Sequence, residues 1–435
     1  MSKNKEKSTS QKLVFQTKLF FRNYPSLPYI TKWTFIGSFI GILIGSASAG
    51  FLQSLNWATD FRESHIWLIS LLPIGGFLIG LIYYYYGKDS ETGNNLLIDT
   101  IHEPKQVIPF RMAPLVYIGT ITTHFFGGSA GREGTALQMA GSIADQFSKP
   151  FKLSASDRKI LIISAVAGGF GSVFGTPLAG AVFAIEFFLI GRIRYNALFP
   201  AFITAIIADV ITKLWQTPHT HYHISSIPDI SFINILYAII AGIFFGLCAL
   251  TFSKVIHKTG TIFKSKISYP PLRPLVGGII VAYIVWVIGT TKYIGLGIPT
   301  IVQSFDEQLP AYDFAIKMAL TIITLSAGFK GGEVTPLFFI GATLGNALGL
   351  FIPLPTGLLA GMGFVAVFAG ATNTPIACSI MAIEIFGVEC GVYVSVGCIV
   401  SYLISGHNSI YGRQMIGEAK HQRYTYHEGK RLNEL

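Results

Sequence analysis

Charge is what this sequence has least of: Asp, Glu, Lys and Arg make up 12% of its 435 residues, while 51% are apolar. A soluble domain of this length needs a far larger polar coat, so the composition excludes a water-soluble globule and places the chain in a bilayer. Cysteine is nearly absent. Cys248, Cys378, Cys390 and Cys398 lie in apolar stretches without CxxC or Cys/His spacing, which predicts reduced packing residues rather than a disulfide framework or metal site. No HExxH motif or intramembrane His/Asp cluster occurs. That speaks against an intramembrane enzyme, and no cofactor is expected. His219, His221 and His223 alternate in TPHTHYHISS, but nothing nearby completes a closed ligand set, so they read as a solvated loop. The start, MSKNKEKSTSQK, has neither an apolar core nor a small-residue cleavage site, and a removable secretory signal is not expected.

Long apolar runs are what the chain does have. Trp33 to Leu55, Ile66 to Tyr86, Ile235 to Phe252, Leu275 to Thr291 and Cys390 to Ser405 approach the roughly 20 residues that a spanning helix needs. Other apolar stretches are shorter or broken by Gly and Pro, as expected of incomplete spans around an internal cavity. The net charge of +10 comes from loops and tails and forms no stacking surface with aromatics, so nucleic acid is not an expected partner. Lys3, Lys5, Lys7, Lys12, Lys18, Arg22 and Lys32 precede the first span, and Arg413, Lys420, Arg423, Lys430 and Arg431 follow the last. This bias predicts two cytoplasmic termini and an even number of crossings in a cell membrane. Residues 1–31 read as a basic lead-in whose Leu13, Phe15, Leu19, Phe20 and Phe21 can lie on the membrane surface, ended by Pro25 and Pro28. Residues 32–216 and 217–406 read as two transmembrane repeats, and 407–435 as a short tail.

The repeat is explicit. SAGREGT from Ser129 is answered by SAGFKGGEVTPLF from Ser326, so that Glu133 falls on Glu333 and Thr135 on Thr335. Downstream, TPLAGAVFAIEFF from Thr176 answers TPIACSIMAIEIF from Thr374, and Glu186 falls on Glu384. Internal repeats in a membrane-type chain are the mark of transporter folds.

An unpaired acid in an apolar segment is costly, so these four are functional candidates by default. Glu133 and Glu333 stand beside glycines at helix starts, where free N–H groups and the positive end of the helix dipole suit an anion. A carboxylate there competes with the anion for the same donors and gives up that advantage when protonated, so one side chain can serve as both gate and proton carrier. A capping acid at a helix start is the plainer reading of both. Glu186 and Glu384 come late in their helices without a preceding glycine, which favours pairing with an arginine or backbone amides. In KDSETGNNLLIDTIHEPK, Asn94 and Asn95 can cap a short helix, or the segment is a surface loop.

GREG in a broken helix, Gly331 to Pro336, Pro177 to Glu186 and the late Tyr411 together resemble the CLC family of chloride channels and chloride/proton antiporters. The resemblance covers nearly the whole chain. It implies an all-α polytopic membrane fold of two inverted repeats with tilted and broken helices, and a homodimer with one pore per subunit. No appended CBS domain is expected after Gly406. The departures from the chloride pattern are Gly93-Asn94-Asn95-Leu96-Leu97 in place of GSGIP, Thr135 in place of the proline of GREGP, GGEVTP in place of GGIFAP, and Phe187 where proton-coupled members often carry a second acid. This combination is similar to the bacterial fluoride-exporting CLC clade and implies a fluoride/proton antiporter with Glu133 as gate and Glu333 on the proton path. The implied anion site comprises Asn94, Gly131, Arg132, Gly134, Val334, Thr335, Phe339 and Tyr411. A small, strongly hydrated ion needs compact donors, and Thr335 offers a hydroxyl, Asn94 an amide, and Phe339 and Tyr411 positive ring edges. Phe339 is equally a core phenylalanine by residue type. A chloride-selective member, uncoupled because of Phe187, is the competing expectation.

Overall fold

The computed structural model describes residues 26–435. The lead-in from Lys3 to Arg22, with its apolar face from Leu13 to Phe21, lies outside the described residues. Helices dominate, in two sets of eight. The first set is α1 (Ser26–Ser64), α2 (Leu72–Tyr86), α3 (Asn94–His102), α4 (Met112–Phe125), α5 (Glu133–Asp145), α6 (Ala155–Phe174), α7 (Pro177–Glu186) and α8 (Leu198–Leu214). The second is α9 (Phe232–Lys266), α10 (Leu272–Ile288), α11 (Ile298–Asp306), α12 (Asp313–Ser326), α13 (Val334–Leu348), α14 (Thr356–Thr372), α15 (Pro375–Phe386) and α16 (Gly391–Ile404). Each helix matches the one eight places on: α1 and α9 have 39 and 35 residues, α3 and α11 have 9 each, α4 and α12 have 14 each. The repeat seen in two phrases therefore extends over the whole described membrane body. Departing from all-α, a two-stranded parallel pair joins β1 (Leu189–Ile190) to β2 (Met415–Ile416). It ties the end of α7 to the tail.

Pro28 does not end a lead-in. It falls in the first turn of α1, where a missing N–H breaks no helical bond, so the helix takes in residues 26–31. Four helical stretches among the described residues are long and apolar enough to cross a bilayer: Ser26–Ser64, Ile66–Tyr86, Tyr195–Leu214 and Phe232–Lys266. Helices such as α5, α7, α13 and α15 are too short. At 1.5 Å per residue, the 15 residues of α13 cover only about 22 Å of a core about 30 Å thick, so these helices begin or end at depth.

The two halves are inverted. Gly131 and Gly332, from the two repeated phrases, form an antiparallel bridge. Glu186, at the end of α7, reaches the start of α15, and Glu384, late in α15, reaches the start of α7. Matching helices that run antiparallel require a two-fold axis in the membrane plane. The middle of the molecule is packed tightly: a Cβ added at Gly341 on α13 would come within 1.9 Å of the Gly363 carbonyl on α14. Helix α14 is buried along its whole length and is accordingly apolar all round. Large apolar side chains such as Phe35, Trp57, Phe232 and Trp286 point outward, 59% to 88% exposed, a surface that suits lipid.

Candidate functional site

Two helix starts meet at the centre. The N–H of Gly131 donates to the Gly332 carbonyl at 2.6 Å and the N–H of Gly332 to Gly131 at 2.8 Å, so the loops leading into α5 and α13 lie back to back. A side chain at Gly332 has no room, since its Cβ would come 2.7 Å from the Gly134 nitrogen. The glycines flanking the acids thus bring two helix N-termini into backbone contact.

Glu133 begins α5 but does not cap it. Its carboxylate crosses to the other repeat, accepting from the Thr335 N–H at 3.1 Å and from the Thr335 hydroxyl. The Arg132 N–H donates to the same group at 3.1 Å, and the Arg132 Nε lies 3.5 Å away. Glu133 is fully buried and occupies the N-terminal turn of α13, where an anion would find its donors. Glu333, its match in the repeat, is only half-buried. It lines a cavity of about 150 Å³ together with Asn94, Gln138, Lys330 and Tyr411.

This cavity holds unpartnered polar groups. The Tyr411 hydroxyl and the Asn94 Oδ1 are buried and have no hydrogen-bond partner among the described residues. Asn94 sits against Gly134 at the α5 start, and Gly93 against Gln138 one turn further on. Asn94 and Asn95 are the first residues of α3 rather than its caps. Gly93, at φ +59°, takes the N-cap position without a side-chain cap, because a positive φ there favours glycine. The freed Asn95 Oδ1 instead accepts from the Arg413 N–H at 3.1 Å.

The tail fixes this arrangement. Arg431 pairs with Asp99 of α3 at 3.2 Å and Arg413 with the same acid at 3.6 Å. The Gln414 amide donates to the Thr372 carbonyl at 2.7 Å and to that of Phe187, so the residues around Tyr411 are pinned to the ends of α7 and α14. Phe187 stacks on Phe183 and meets the Tyr411 ring edge-on at 5.9 Å.

Of the residues expected as gate, proton path and anion site, the structure brings together Glu133, Thr335, Gly131, Arg132 and Gly134 at the paired loops, and Asn94, Glu333 and Tyr411 at the cavity. Val334 is buried as the first residue of α13 and does not line that cavity. Phe339 faces elsewhere. Its ring packs against Tyr293 and lies 5.3 Å from the Lys317 Nζ, filling the space beside Gly297, so it serves as core. Lys317 is fully buried and donates to the carbonyls of Tyr293 at 3.1 Å and Gly295 at 2.7 Å. Sequence reasoning passed over Lys317, Gln138 and Lys330, although a lysine within DFAIKMALTIITLS and a glutamine within EGTALQMAGSIA are polar residues in apolar helices and carry the same warning as the acids.

Glu186 and Glu384 are satisfied reciprocally. Glu186 accepts from the N–H groups of Ile376 and Ala377 at 3.1 and 2.8 Å. Glu384 accepts from Leu178 and Ala179 at 3.0 and 2.7 Å. Each acid caps the Pro-led helix of the other repeat. His219 lies beside Asp209 at 3.9 Å, and His221 and His223 are exposed.

The chain has counterparts among known proteins in sequence and in fold. A sequence model described as "voltage gated chloride channel" matches residues 75–406. The chain belongs to the CLC family. A chloride/fluoride channel protein of Pseudomonas syringae pv. tomato is 51% identical over 91% of this chain and 89% of its own length. A proton/chloride exchange transporter of Salmonella typhi is 23% identical over 80% of each chain. The crystal structure of a CLC-type fluoride/proton antiporter superposes with a TM-score of 0.86 at 34% identity, covering 88% of this chain and 98% of that one. A slow cyanobacterial chloride/proton antiporter shares the fold, with a TM-score of 0.73 at 21% identity. Membrane location and a polytopic helical fold follow from CLC membership.

Proposed function

We propose that the protein is a fluoride/proton antiporter that expels cytoplasmic fluoride in exchange for protons, with Glu133 as protonatable gate and Glu333 on the proton path. The observation that carries this reading is the Glu133 carboxylate lying on the Thr335 N–H and hydroxyl. A negative side chain seated on those donors excludes the transported anion, and protonation weakens its hold so that the anion can take its place. Glu333, facing the cavity 200 residues further on at the matching repeat position, supplies a second carboxylate to carry the proton where Phe187 cannot.

Fluoride is favoured by the unpartnered Tyr411 hydroxyl and by the NH2 group of Asn94 beside Gly134, compact donors that can replace part of the hydration shell of a small anion. The fluoride named for two relatives points the same way. The expected setting is the cell membrane with both termini cytoplasmic, the tail and the 150 Å³ cavity on the inner side, and two chains per assembly, each with its own pore. Phe187 favours a second reading, a chloride-selective or uncoupled member. Liposomes loaded with fluoride or chloride, at zero potential, separate the two when anion release and proton uptake are followed together. Fluoride release with proton uptake, well ahead of chloride, is expected; equal chloride release would overturn the fluoride assignment, and fluoride release without proton uptake would overturn the coupling.

A further inference from the structure

A second cavity, of about 290 Å³, opens between the end of α2, the turn into α10 and the loop from Ser326 to Lys330. It lies on the face that carries the tail: His257 of α9 shares a hydrogen bond with the Ser409 carbonyl at 2.7 Å, and Lys264 is two turns further along the same helix. Four cations line it, Lys88, Lys264, Arg273 and Lys330, against one acid, Glu91. Among the described residues, none of the four is within 4.0 Å of a carboxylate oxygen. Lys330 instead sits 3.8 Å from the Tyr83 ring centre and Lys88 5.7 Å from that of Tyr84. Arg273 spends its Nε on the Ile267 carbonyl at 2.9 Å, leaving its terminal nitrogens without a partner among the described residues.

Four like charges gathered around a void repel one another, and an anion placed between them relieves that repulsion. The rim tells which anion. Next to the lining residues Tyr83 and Tyr84, Tyr85 and Tyr86 are 67% and 66% exposed and Ile82 is exposed too, and Tyr269 packs edge-on against Tyr84 at 5.4 Å. Such an aromatic and apolar rim marks the membrane–water boundary, where a basic pocket between helices meets lipid headgroups. We propose that this cavity binds a phosphate group presented by an anionic phospholipid of the leaflet on the tail face. Lys330 and Glu91 also line the cavity that holds Glu333 and Tyr411, so the headgroup sits beside the mouth of the pore. The inference rests on the membrane setting of the proposed function, and not on which anion is carried.

Native mass spectrometry of the full chain in detergent, titrated separately with phosphatidylglycerol, phosphatidylcholine and inorganic phosphate, tests it. One phosphatidylglycerol per chain is expected, held in preference to phosphatidylcholine. Occupancy should fall roughly 10- to 30-fold in the double variant Lys264→Gln/Arg273→Gln, as the loss of two cations near a membrane surface implies. Anion flux and thermal unfolding of the variant should match the parent, and if it does not fold, Lys88→Gln/Lys264→Gln replaces it. Equal binding of the two lipids, or unchanged occupancy in the variant, would overturn the site. Displacement of the lipid by inorganic phosphate at similar concentration would overturn its assignment to lipid and give the cavity to a soluble phosphate. Because the readout is binding, failure of the flux experiment leaves this result standing.

Discussion

Glu186 and Glu384 are a matched pair in structure as well as in sequence, whereas Glu133 and Glu333 are matched in sequence alone. In the first pair each carboxylate takes two backbone N–H groups from the opposite repeat. In the second, Glu133 is buried on Thr335 while Glu333 looks into a cavity. A pseudo-two-fold that is obeyed leaves every donor and acceptor satisfied, which suits a structural joint. One that is broken leaves two similar acids in different states, and an alternation of states is what a transport cycle needs.

The comparison is broken most severely at Glu133. The substitution Glu133→Gln removes the carboxylate assigned to the gate in the proposed cycle, and proton uptake driven by an anion gradient is expected to fall to the level of protein-free liposomes. Glu333→Gln should uncouple in a milder way, lowering the protons moved per anion while anion release continues; a pH-indicator trace beside an ion-selective electrode reads both. Loss of the Thr335 hydroxyl in Thr335→Val unseats the Glu133 carboxylate by about 1–2 kcal/mol, roughly tenfold in occupancy. The pH at which flux is half-maximal should shift accordingly. Glu186→Gln and Glu384→Gln sharpen the comparison from the other side. Each leaves two N–H groups facing an amide instead of a carboxylate, and the cost in thermal or denaturant unfolding should be about 1–3 kcal/mol at buried Glu186 and smaller at the more exposed Glu384 contacts, with the proton-to-anion ratio unchanged.

The smallest effect is expected in the tail. Burial, and then the neighbouring Lys420, pushes the His407 imidazole down to about 4, and its Nε2 accepts from the Lys420 N–H at 3.2 Å. The released tail binds a proton more readily than the docked one, so its attachment is unaffected above about pH 6.5 and weakens as the pH falls from there toward 4. Amide exchange of Gly412 to Leu435 at pH 7 and pH 5 should show that loosening, with His407→Phe abolishing the difference.

Much of this was legible in the sequence because it rests on residue type and spacing. A glycine-flanked acid repeated 200 residues on, and apolar runs too short to span, are local facts that point to broken helices and an internal repeat. What was not legible depends on where distant segments meet. The partners of Glu186 and Glu384 lie about 200 residues away in the chain, so backbone capping was one of two readings until the fold closed. Asn94 looked like a cap because asparagine favours that position, yet the positive φ at Gly93 gives the place to glycine and frees the asparagine for the cavity. Phe339 carried no sign of which side of α13 it would take, and Lys317 now accounts for its position.

The most direct test is one ratio, protons taken up per fluoride released, measured in the same liposomes for the parent and for the four single Glu→Gln variants. The account expects the ratio to collapse for Glu133 and fall for Glu333 while holding at the parent value for Glu186 and Glu384. A ratio that falls equally at all four positions, or that holds at Glu133, would contradict it.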